Sequence, residues 1–478
     1  MMDCCTVGSR KGGGHYDLAV LGAGSAGFSA AIRAAELGAQ VALIGNGAIG
    51  GTCVNVGCVP SKTLIRAMEG VRRSRAASRF AGIAVETRLT DWRALIAQKD
   101  ELVAGLREAR YADVLAAYDT ITYLDGPARL APEGVVVNGA LYRAAKIVVV
   151  TGASPATPPI PGITGIPYLT SATALALEAV PDSILVIGGG VIGCELGQMF
   201  ARAGARVTIV CRSRLLPHGE PEVGEALARY LRDEGIDVRC GVVYGSIQRI
   251  DAGAALAVVD GDGRFDTIEA RSVLVATGRQ PNTSGLDLEK VGIVLTRNGG
   301  IRVDDRLRTT RPGAYAAGDV TGRDMFVYMA AYGAKLAAEN ALNGDMRRYD
   351  ATVMPEVTFT DPQAASVGLT EAEARAEGIE VQAVTLPLAE VPRALAARDT
   401  RGLVKLVAAR QSGKLVGAHI LAPEGGDSIQ TAVLAIKHGL TVGDLAETLF
   451  PYLTTVEGLK LAALGFTKDV TKLSCCAG

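Results

Sequence analysis

Two short glycine runs, each set between an apolar stretch and a helical one, constrain this chain more than any other feature. The first, Gly22-Ala-Gly24-Ser-Ala-Gly27, follows the apolar run 17–21. The second, Gly188-Gly-Gly190-Val-Ile-Gly193, follows Ser183–Ile187. A lone run of this kind is weak evidence. Here each is preceded by a buried-strand pattern, followed by a helical pattern (29–37 and 195–203), and then by a second strand pattern (40–44 and 206–210). Strand, glycine turn, helix and strand in that order form a dinucleotide-binding unit. The glycines let the backbone approach a pyrophosphate, and the helix N-terminus presents N–H groups and the positive end of its dipole. A further repeat supports two such units, because 147–152 and 273–278 both read as strands ending in Thr-Gly. The proline-rich stretch 155–167 reads as a crossing between domains. Beyond Asp350 the glycine turns thin out. Strand patterns at 403–407 and 416–420 then precede amphipathic helices at 427–439 and 442–449, which predicts a separate α+β domain. With 478 residues, about three domains are expected.

The ends of the second strands differ, and that is where a ribose is read. In the second unit the strand runs into Val210-Cys211-Arg212-Ser213-Arg214. No acid is present for a ribose 2′-hydroxyl, whereas Arg212 and Arg214 suit a 2′-phosphate, so NADPH is expected over NADH. In the first unit the strand ends Ile44-Gly45-Asn46, with neither an acid nor an arginine. Two nucleotide sites on one chain suggest a relay, with hydride passing from a nicotinamide to a bound flavin.

After the first unit comes Gly50-Gly51-Thr52-Cys53-Val-Asn-Val-Gly57-Cys58-Val59-Pro60-Ser61-Lys62. Pro60 suits a helix N-terminus, where the dipole and Lys62 would favour a thiolate at Cys58. Four residues separate the cysteines, a spacing that irregular backbone can bring within disulfide reach. A zinc half-site or two core cysteines are the alternatives. The four histidines, His15, His218, His419 and His438, are not spaced like a zinc site, and a redox pair suits the neighbourhood of a flavin fold. The chain has nine cysteines, too few for a disulfide scaffold and odd in number, which fits a reducing compartment. Adjacent Cys475 and Cys476 near the terminus read as a dithiol for a soft cation. Cys4 and Cys5 on a glycine-rich leader read as idle, and Cys194, Cys211 and Cys240 as packing residues.

Charge excludes several classes. Lys and Arg total 49 against 50 Asp and Glu, for a net charge of −1. The run Arg72-Arg73-Ser74-Arg75 reads as a solvated helix face, and with one tryptophan and no aromatic interleaving no nucleic-acid partner is expected. The first fifteen residues lack an apolar signal core. The uncharged stretch 147–177 is broken by Pro155, Pro158, Pro159, Pro161 and Pro167. A soluble, cytoplasmic protein without membrane insertion is expected.

Taken together, the Cys53–Lys62 segment, both glycine turns, both Thr-Gly strands and Tyr315-Ala-Ala-Gly318-Asp319 resemble the pyridine nucleotide–disulfide oxidoreductases from about Tyr16 to the C-terminus. The resemblance implies an α/β fold with two Rossmann-like dinucleotide-binding domains, for FAD and NADPH, and an α+β C-terminal dimerisation domain. Its boundaries would be a leader at 1–15, an FAD domain at 16–150 and 282–350, an NADPH domain at 151–281, and an interface domain at 351–478. It implies a homodimer with FAD held around Gly22, Gly24, Gly27, Thr52, Lys62, Gly126, Asp319 and Val327. NADPH would lie on Gly188, Gly190, Gly193, Arg212, Arg214 and Gly278. Cys58 would face the flavin, Cys53 would exchange with substrate, and Lys62 would pair with Glu195 near the flavin N5. Val191 stands where many relatives have a tyrosine covering the flavin, which implies a more open nicotinamide pocket.

Disulfide-reducing members carry a His-Pro followed by a glutamate. This chain has Phe450-Pro451-Tyr452 followed by Glu457. A phenol with a pKa near ~10 is a poor proton shuttle for a leaving thiol, which argues against glutathione or lipoamide as substrate. Phe450-Pro-Tyr-Leu-Thr, Val456-Glu-Gly-Leu-Lys and the Ser-Cys-Cys-Ala-Gly tail instead resemble the members that reduce a metal ion. That resemblance implies Hg(II), arriving as a thiol complex, as the substrate. Cys475 and Cys476 of one subunit would pass it to Cys53 and Cys58 of the other, with Tyr452 near the metal across the interface. The alternatives are a general NADPH-dependent disulfide reductase, or a thiol-rich flavoprotein that sequesters metal without turnover.

Overall fold

The computed structural model describes residues 14–472, so the expectations for Cys4, Cys5, Cys475 and Cys476 lie outside the described residues. The chain forms two compact units. One comprises residues up to 60, 100–154 and 279–351, and the other 61–99, 155–278 and 352 onward.

The first unit is built on a seven-stranded sheet. Its centre is His15–Leu21, parallel to Val41–Gly45 on one side and Ala140–Val149 on the other. Ile121–Asp125 extends the sheet beyond Val41–Gly45, with Gly45 opposite Asp125. Ala314–Ala316 pairs in parallel with Ala140–Val149. Apolar side chains on both faces explain why these strands read as continuous hydrophobic runs. One face is covered by the helices Ser25–Glu36 and Val327–Asn343, which pack through Ala30, Ala31 and Ala34 with Ala334, Ala337 and Ala338. Small residues there let the two helices approach closely. The helix expected at 29–37 starts at Ser25, because Gly24 is already its N-cap and the glycine turn runs straight into it.

The second unit holds three sheets. Asp237–Cys240, Arg206–Cys211, Ser183–Ile187 and Ser272–Val275 form a parallel sheet in that order. The helix Val191–Ala203 follows its glycine turn, again four residues earlier than the helical pattern suggests and with a glycine N-cap, Gly190. Val243–Ile250, Gly253–Val259 and Phe265–Ala270 make an antiparallel meander. The third sheet is antiparallel, with Glu356–Thr358, Gln363–Gly368, Leu415–Ala422, Leu403–Ala409 and Val381–Pro387 in order. The helices Gly425–Lys437 and Glu457–Leu464 pack on it through Ile429, Ala432, Leu459 and Ala462. Among the described residues no helix is long and apolar enough to cross a membrane.

A charge network ties distant segments of the second unit together. Arg202 bonds Glu234 at 2.7 Å and Asp361 at 2.9 Å. Arg401 bonds Asp361 at 3.1 Å and Asp399 at 2.8 Å, and Arg79 reaches Asp399 at 3.0 Å. Burial works to raise the Asp399 carboxyl, but Arg401 and Arg79 overrule it and hold the group at about 2. A carboxylate depressed in the folded state stabilises the protein above its unfolded pKa, and that stabilisation is lost as pH falls through the folded value. Between about pH 4 and pH 2 the protein is therefore expected to lose stability in part through Asp399. Urea midpoints measured across that window should fall less steeply for Asp399→Asn than for the unsubstituted chain.

Candidate active site

The two glycine turns have nearly the same geometry. Gly22 and Gly188 both have φ +123°, a region favouring glycine. A Cβ at either would stand 2.3 Å from a carbonyl oxygen of the neighbouring strand end, Val150 for Gly22 and Ala276 for Gly188. A Cβ at Gly27 would lie 1.7 Å from the Gly22 carbonyl oxygen, and one at Gly193 would lie 2.0 Å from that of Gly188. Each outer glycine is thus dictated by close packing of helix on strand. The middle glycines differ. Gly24 and Gly190 are N-caps in extended backbone with no side-chain cap. No atom lies within 4 Å of a Cβ built on Gly190. Uncapped first-turn N–H groups suit a pyrophosphate, with open space beside Gly190 and only the Gly50–Gly51 backbone beside Gly24, so the donor set at both turns fits a dinucleotide. Thr151-Gly152 and Thr277-Gly278 directly follow the two carbonyls that these turns approach, which explains the second sequence repeat.

The cysteine segment is fastened to the first turn. The Gly50 N–H donates to the Ala23 carbonyl at 2.8 Å, and a Cβ on Gly51 would stand 2.7 Å from the Gly24 Cα. The helix Gly51–Val56 carries Thr52 and Cys53, and the helix Cys58–Ala76 starts at the second cysteine, so Cys58 opens its helix rather than preceding it. Between them a Cβ on Gly57 would stand 3.2 Å from the Cys53 Cα, so only glycine lets the two turns of backbone close up. Asn55 locks the bend by donating to the Ile49 and Gly51 carbonyls at 2.9 and 2.8 Å, and Arg107 holds its amide oxygen at 3.2 Å. Both cysteines are half-buried.

Other residues named from the sequence fall into place within their own units. In the first, Gly126 has φ +137° and donates its N–H to the Gly45 carbonyl at 2.8 Å. Asp319 lies in the short turn Gly318–Thr321, and Val327 is the first residue of its helix. Burial pushes the Asp319 carboxyl up, against the pull of Arg279 at 3.6 Å. In the second unit Lys62 Nζ bonds Glu195 Oε2 at 2.8 Å. The other oxygen of Glu195 accepts the Phe359 N–H at 2.8 Å, and the Phe359 ring lies under the Lys62 ammonium, 4.8 Å from it. Arg212 is exposed beyond the strand Arg206–Cys211. Arg214 turns back, donating to the Gly219 carbonyl at 2.7 Å. Tyr452 is half-exposed, and the next residue, Leu453, donates its N–H to Glu457 at 3.3 Å.

Sequence reading missed three features. Phe359 completes the Glu195 site from more than 150 residues away, and no local motif marks it. The hydroxyl of Tyr123 fills the place where a side chain on Gly45 would start, 2.3 Å from the built Cβ, and it bonds the Asp125 carboxylate. A carboxylate, Asp125, thus stands opposite Gly45 on the neighbouring strand; its sequence signal is Tyr123-Leu-Asp125 before Gly126. Finally, Cys211 and Cys240 pack in the core as expected, but not independently of one another. They are a register pair whose sulfur atoms lie 3.4 Å apart.

The described site can be set beside known proteins. The family model for pyridine nucleotide-disulphide oxidoreductases matches residues 16–335, and the model for their dimerisation domain matches residues 354–463. A mercuric reductase from Streptomyces lividans is 47% identical over 97% of this chain and 98% of its own length. One from Shigella flexneri is 47% identical over 97% of this chain and 83% of its own. Among solved structures, the HOCl-induced flavoprotein disulfide reductase RclA from Escherichia coli, in its Cu(II) complex, aligns with a TM-score of 0.83 at 31% identity, covering 95% of this chain and all of that one.

The Glu195 site generates its own test. The Glu195 side chain is 3% exposed and that of Lys62 is 32% exposed. Lys62→Met should destabilise the second unit by roughly 2–3 kcal/mol, less than the 3–5 of a fully buried pair because Lys62 keeps some water. Replacing both partners, as Lys62→Met with Glu195→Met, should recover most of that loss. Urea unfolding followed by tryptophan fluorescence reads both; an unchanged midpoint for Lys62→Met alone would remove the pair from the stability account.

Proposed function

The chain belongs to the pyridine nucleotide–disulphide oxidoreductase family, and from that premise we propose that it reduces thiol-bound Hg(II) to Hg(0) with electrons from NADPH, as in mercury detoxification. The observation that carries this reading is a two-cysteine segment, Cys53 and Cys58, that follows directly on Gly50 and Gly51, which pack on the first nucleotide turn at Ala23 and Gly24, in a chain whose Phe450–Glu457 loop offers a tyrosine and no histidine. A disulfide reductase needs an acid for the leaving thiol there. Reduction of a bound cation releases no thiol that must be protonated by that group. Relatives at 47% identity that carry the name mercuric reductase support the same choice.

FAD and NADPH are the cofactors. FAD, when bound, would supply two-electron redox chemistry between NADPH and the dithiol. The protein's own groups do the rest. Gly24 and the first turn of its helix hold the FAD pyrophosphate, with Asp319 and Val327 bordering the same cofactor. Tyr123 and Asp125 take over the ribose contact that Gly45 cannot make. Gly188, Gly190, Gly193 and Gly278 shape the NADPH turn, and Arg212 meets the 2′-phosphate more freely than Arg214, which is tied to Gly219. Cys53 and Cys58 hold the cation as a dithiolate, and Lys62 with Glu195 serves the flavin. The overall balance is Hg(SR)2 plus NADPH plus one proton giving Hg(0), NADP⁺ and two free thiols, which leave during transfer of the cation to the protein's own cysteines. In the homodimer, Cys475 and Cys476 of one protomer collect the cation from solvent thiols and pass it to Cys53 and Cys58 of its partner, with Tyr452 at the point of transfer.

Purified protein with Hg(II), excess small thiol and NADPH should oxidise NADPH continuously and release mercury vapour, and should do neither with oxidised glutathione or lipoamide. Binding that saturates without NADPH loss would favour sequestration instead. Cys53→Ala and Cys58→Ala should each abolish turnover, while Cys475→Ala with Cys476→Ala should slow it chiefly at high thiol. The ribose assignment has a separate readout. Refilling of the apoprotein, followed by flavin fluorescence quenching, should show FAD bound about fivefold more weakly by Tyr123→Phe and roughly tenfold by Asp125→Asn. Unchanged affinity in both would return the ribose contact to Asn46 or the backbone.

A further inference from the structure

Cys211 and Cys240 are paired in register at the ends of the neighbouring parallel strands Arg206–Cys211 and Asp237–Cys240. The Cys211 thiol donates to the Cys240 sulfur at 3.4 Å. Cys211 is buried and Cys240 half-exposed, so the pair has one side toward solvent. We propose that Cys211 and Cys240 form a second site for a thiophilic, two-coordinate cation such as Hg(II), and that filling it weakens binding of the pyridine nucleotide.

Strand geometry favours chelation over oxidation at this pair. Neighbouring strands lie about 4.8 Å apart, and register-paired side chains leave them side by side. With both Cβ–Sγ bonds pointing the same way, the sulfurs stand about that distance apart. A linear S–metal–S unit with bonds of about 2.3 Å, as in zinc thiolate sites, spans about 4.6 Å. A disulfide wants its Cβ atoms about 3.8 Å apart, which would draw the strands together by about 1 Å. Small rotations from the present 3.4 Å therefore reach a dithiolate without moving backbone. No group of three or more His, Cys, Asp or Glu suited to a metal exists among the described residues, so four-coordinate zinc is disfavoured at the pair. Binding follows two thiols plus Hg(II) giving the dithiolate and two protons.

Coupling to the nucleotide follows from packing. A Cβ on Gly189, between Gly188 and Gly190 in the second glycine turn, would stand 2.9 Å from the Cys211 Cβ and 3.0 Å from its sulfur, so Cys211 lies directly against that turn. Cys194, buried behind it, donates its thiol to the Gly189 carbonyl at 3.5 Å. Beyond the pair, the Gly241 N–H donates to the Ser213 carbonyl at 2.8 Å and that of Val242 donates to the Cys211 carbonyl at 3.2 Å, fastening the Arg212–Arg214 loop to the same spot. A cation on Cys211 presses on the turn and shifts that loop together. The coupling rests on the reading that Gly188–Gly193 binds the pyridine nucleotide; the metal site itself does not.

The test titrates the oxidised holoenzyme with Hg(II), without small thiols, and measures retained mercury after desalting together with the dissociation constant for NADP⁺. The unsubstituted chain should hold one equivalent more than Cys211→Ser with Cys240→Ser, and filling that equivalent should weaken NADP⁺ at least tenfold. The double variant should keep its NADP⁺ affinity within twofold across the titration. Cys240→Ser alone, at the half-exposed position, serves if the double variant does not fold, and should behave in the same way. Equal mercury content in variant and unsubstituted chain overturns the site. An extra equivalent that leaves NADP⁺ affinity unchanged overturns the coupling. Failure of the metal-free chain to bind NADP⁺ at all would count against the nucleotide reading instead.

Discussion

One buried carboxylate organises more of the second unit than its size suggests. Glu195 sits on the helix that leaves the second glycine turn and is nearly inaccessible to water. An ionised group so placed must find partners, and it finds two: the Lys62 ammonium and the Phe359 N–H. Those partners come from the helix that begins at Cys58 and from the segment after the strand Glu356–Thr358. Three stretches remote in sequence are thus fixed on one side chain. Gln198, one turn further along the same helix, repeats the device by accepting the Asp361 N–H and donating to its carbonyl, both within 2.9 Å. Arg202 then bonds Asp361 again. A single helix face carries three consecutive polar anchors for one distant segment, and losing the Lys62 partner of the first leaves a Glu195 charge that the interior cannot solvate.

The first unit depends on an absence of side chains instead. Gly22, Gly27 and Gly51 each bring backbone against backbone at distances that a methyl group would forbid. Those approaches bring the cysteine segment, the helix N-terminus and the end of Val41–Gly45 together at the carboxyl ends of the parallel strands, where the ligand crevice of such sheets usually lies. Chemistry then follows from what borders the crevice. Uncapped N–H groups suit a pyrophosphate, and a nearby dithiol can receive electrons or a soft cation.

Gly45 shows how a motif can depart from its family without emptying the site. The strand end lacks the acid that reads a ribose, yet Tyr123 occupies the vacated volume and is bonded to Asp125. Burial and the neighbouring carboxylate both raise the Tyr123 phenol, so it remains a neutral donor at physiological pH. The second unit has a counterpart at the same topological position, where Cys211 ends the second strand beside its glycine turn.

Local sequence carried a great deal. Both nucleotide units, the Cys53–Cys58 segment and two of the five strands of the C-terminal sheet are patterns over a few dozen residues, set by glycine at points of backbone contact and by runs of apolar residues in buried strands; the antiparallel order of that sheet and its other three strands were not read. Element ends were less legible. Both turn helices begin four residues before their apolar pattern because the glycine cap hides their first turn. The Lys62–Glu195 pairing was available only through family resemblance. Phe359 on Glu195, Tyr123 over Gly45 and Cys211 against Cys240 were not legible from local pattern. Each is a contact between residues far apart in the chain, created by strand order and register. The sequence alone determines which local pieces form and what chemistry each can carry; the tertiary structure decides which pieces meet, because a side chain's partner depends on packing that no local pattern encodes.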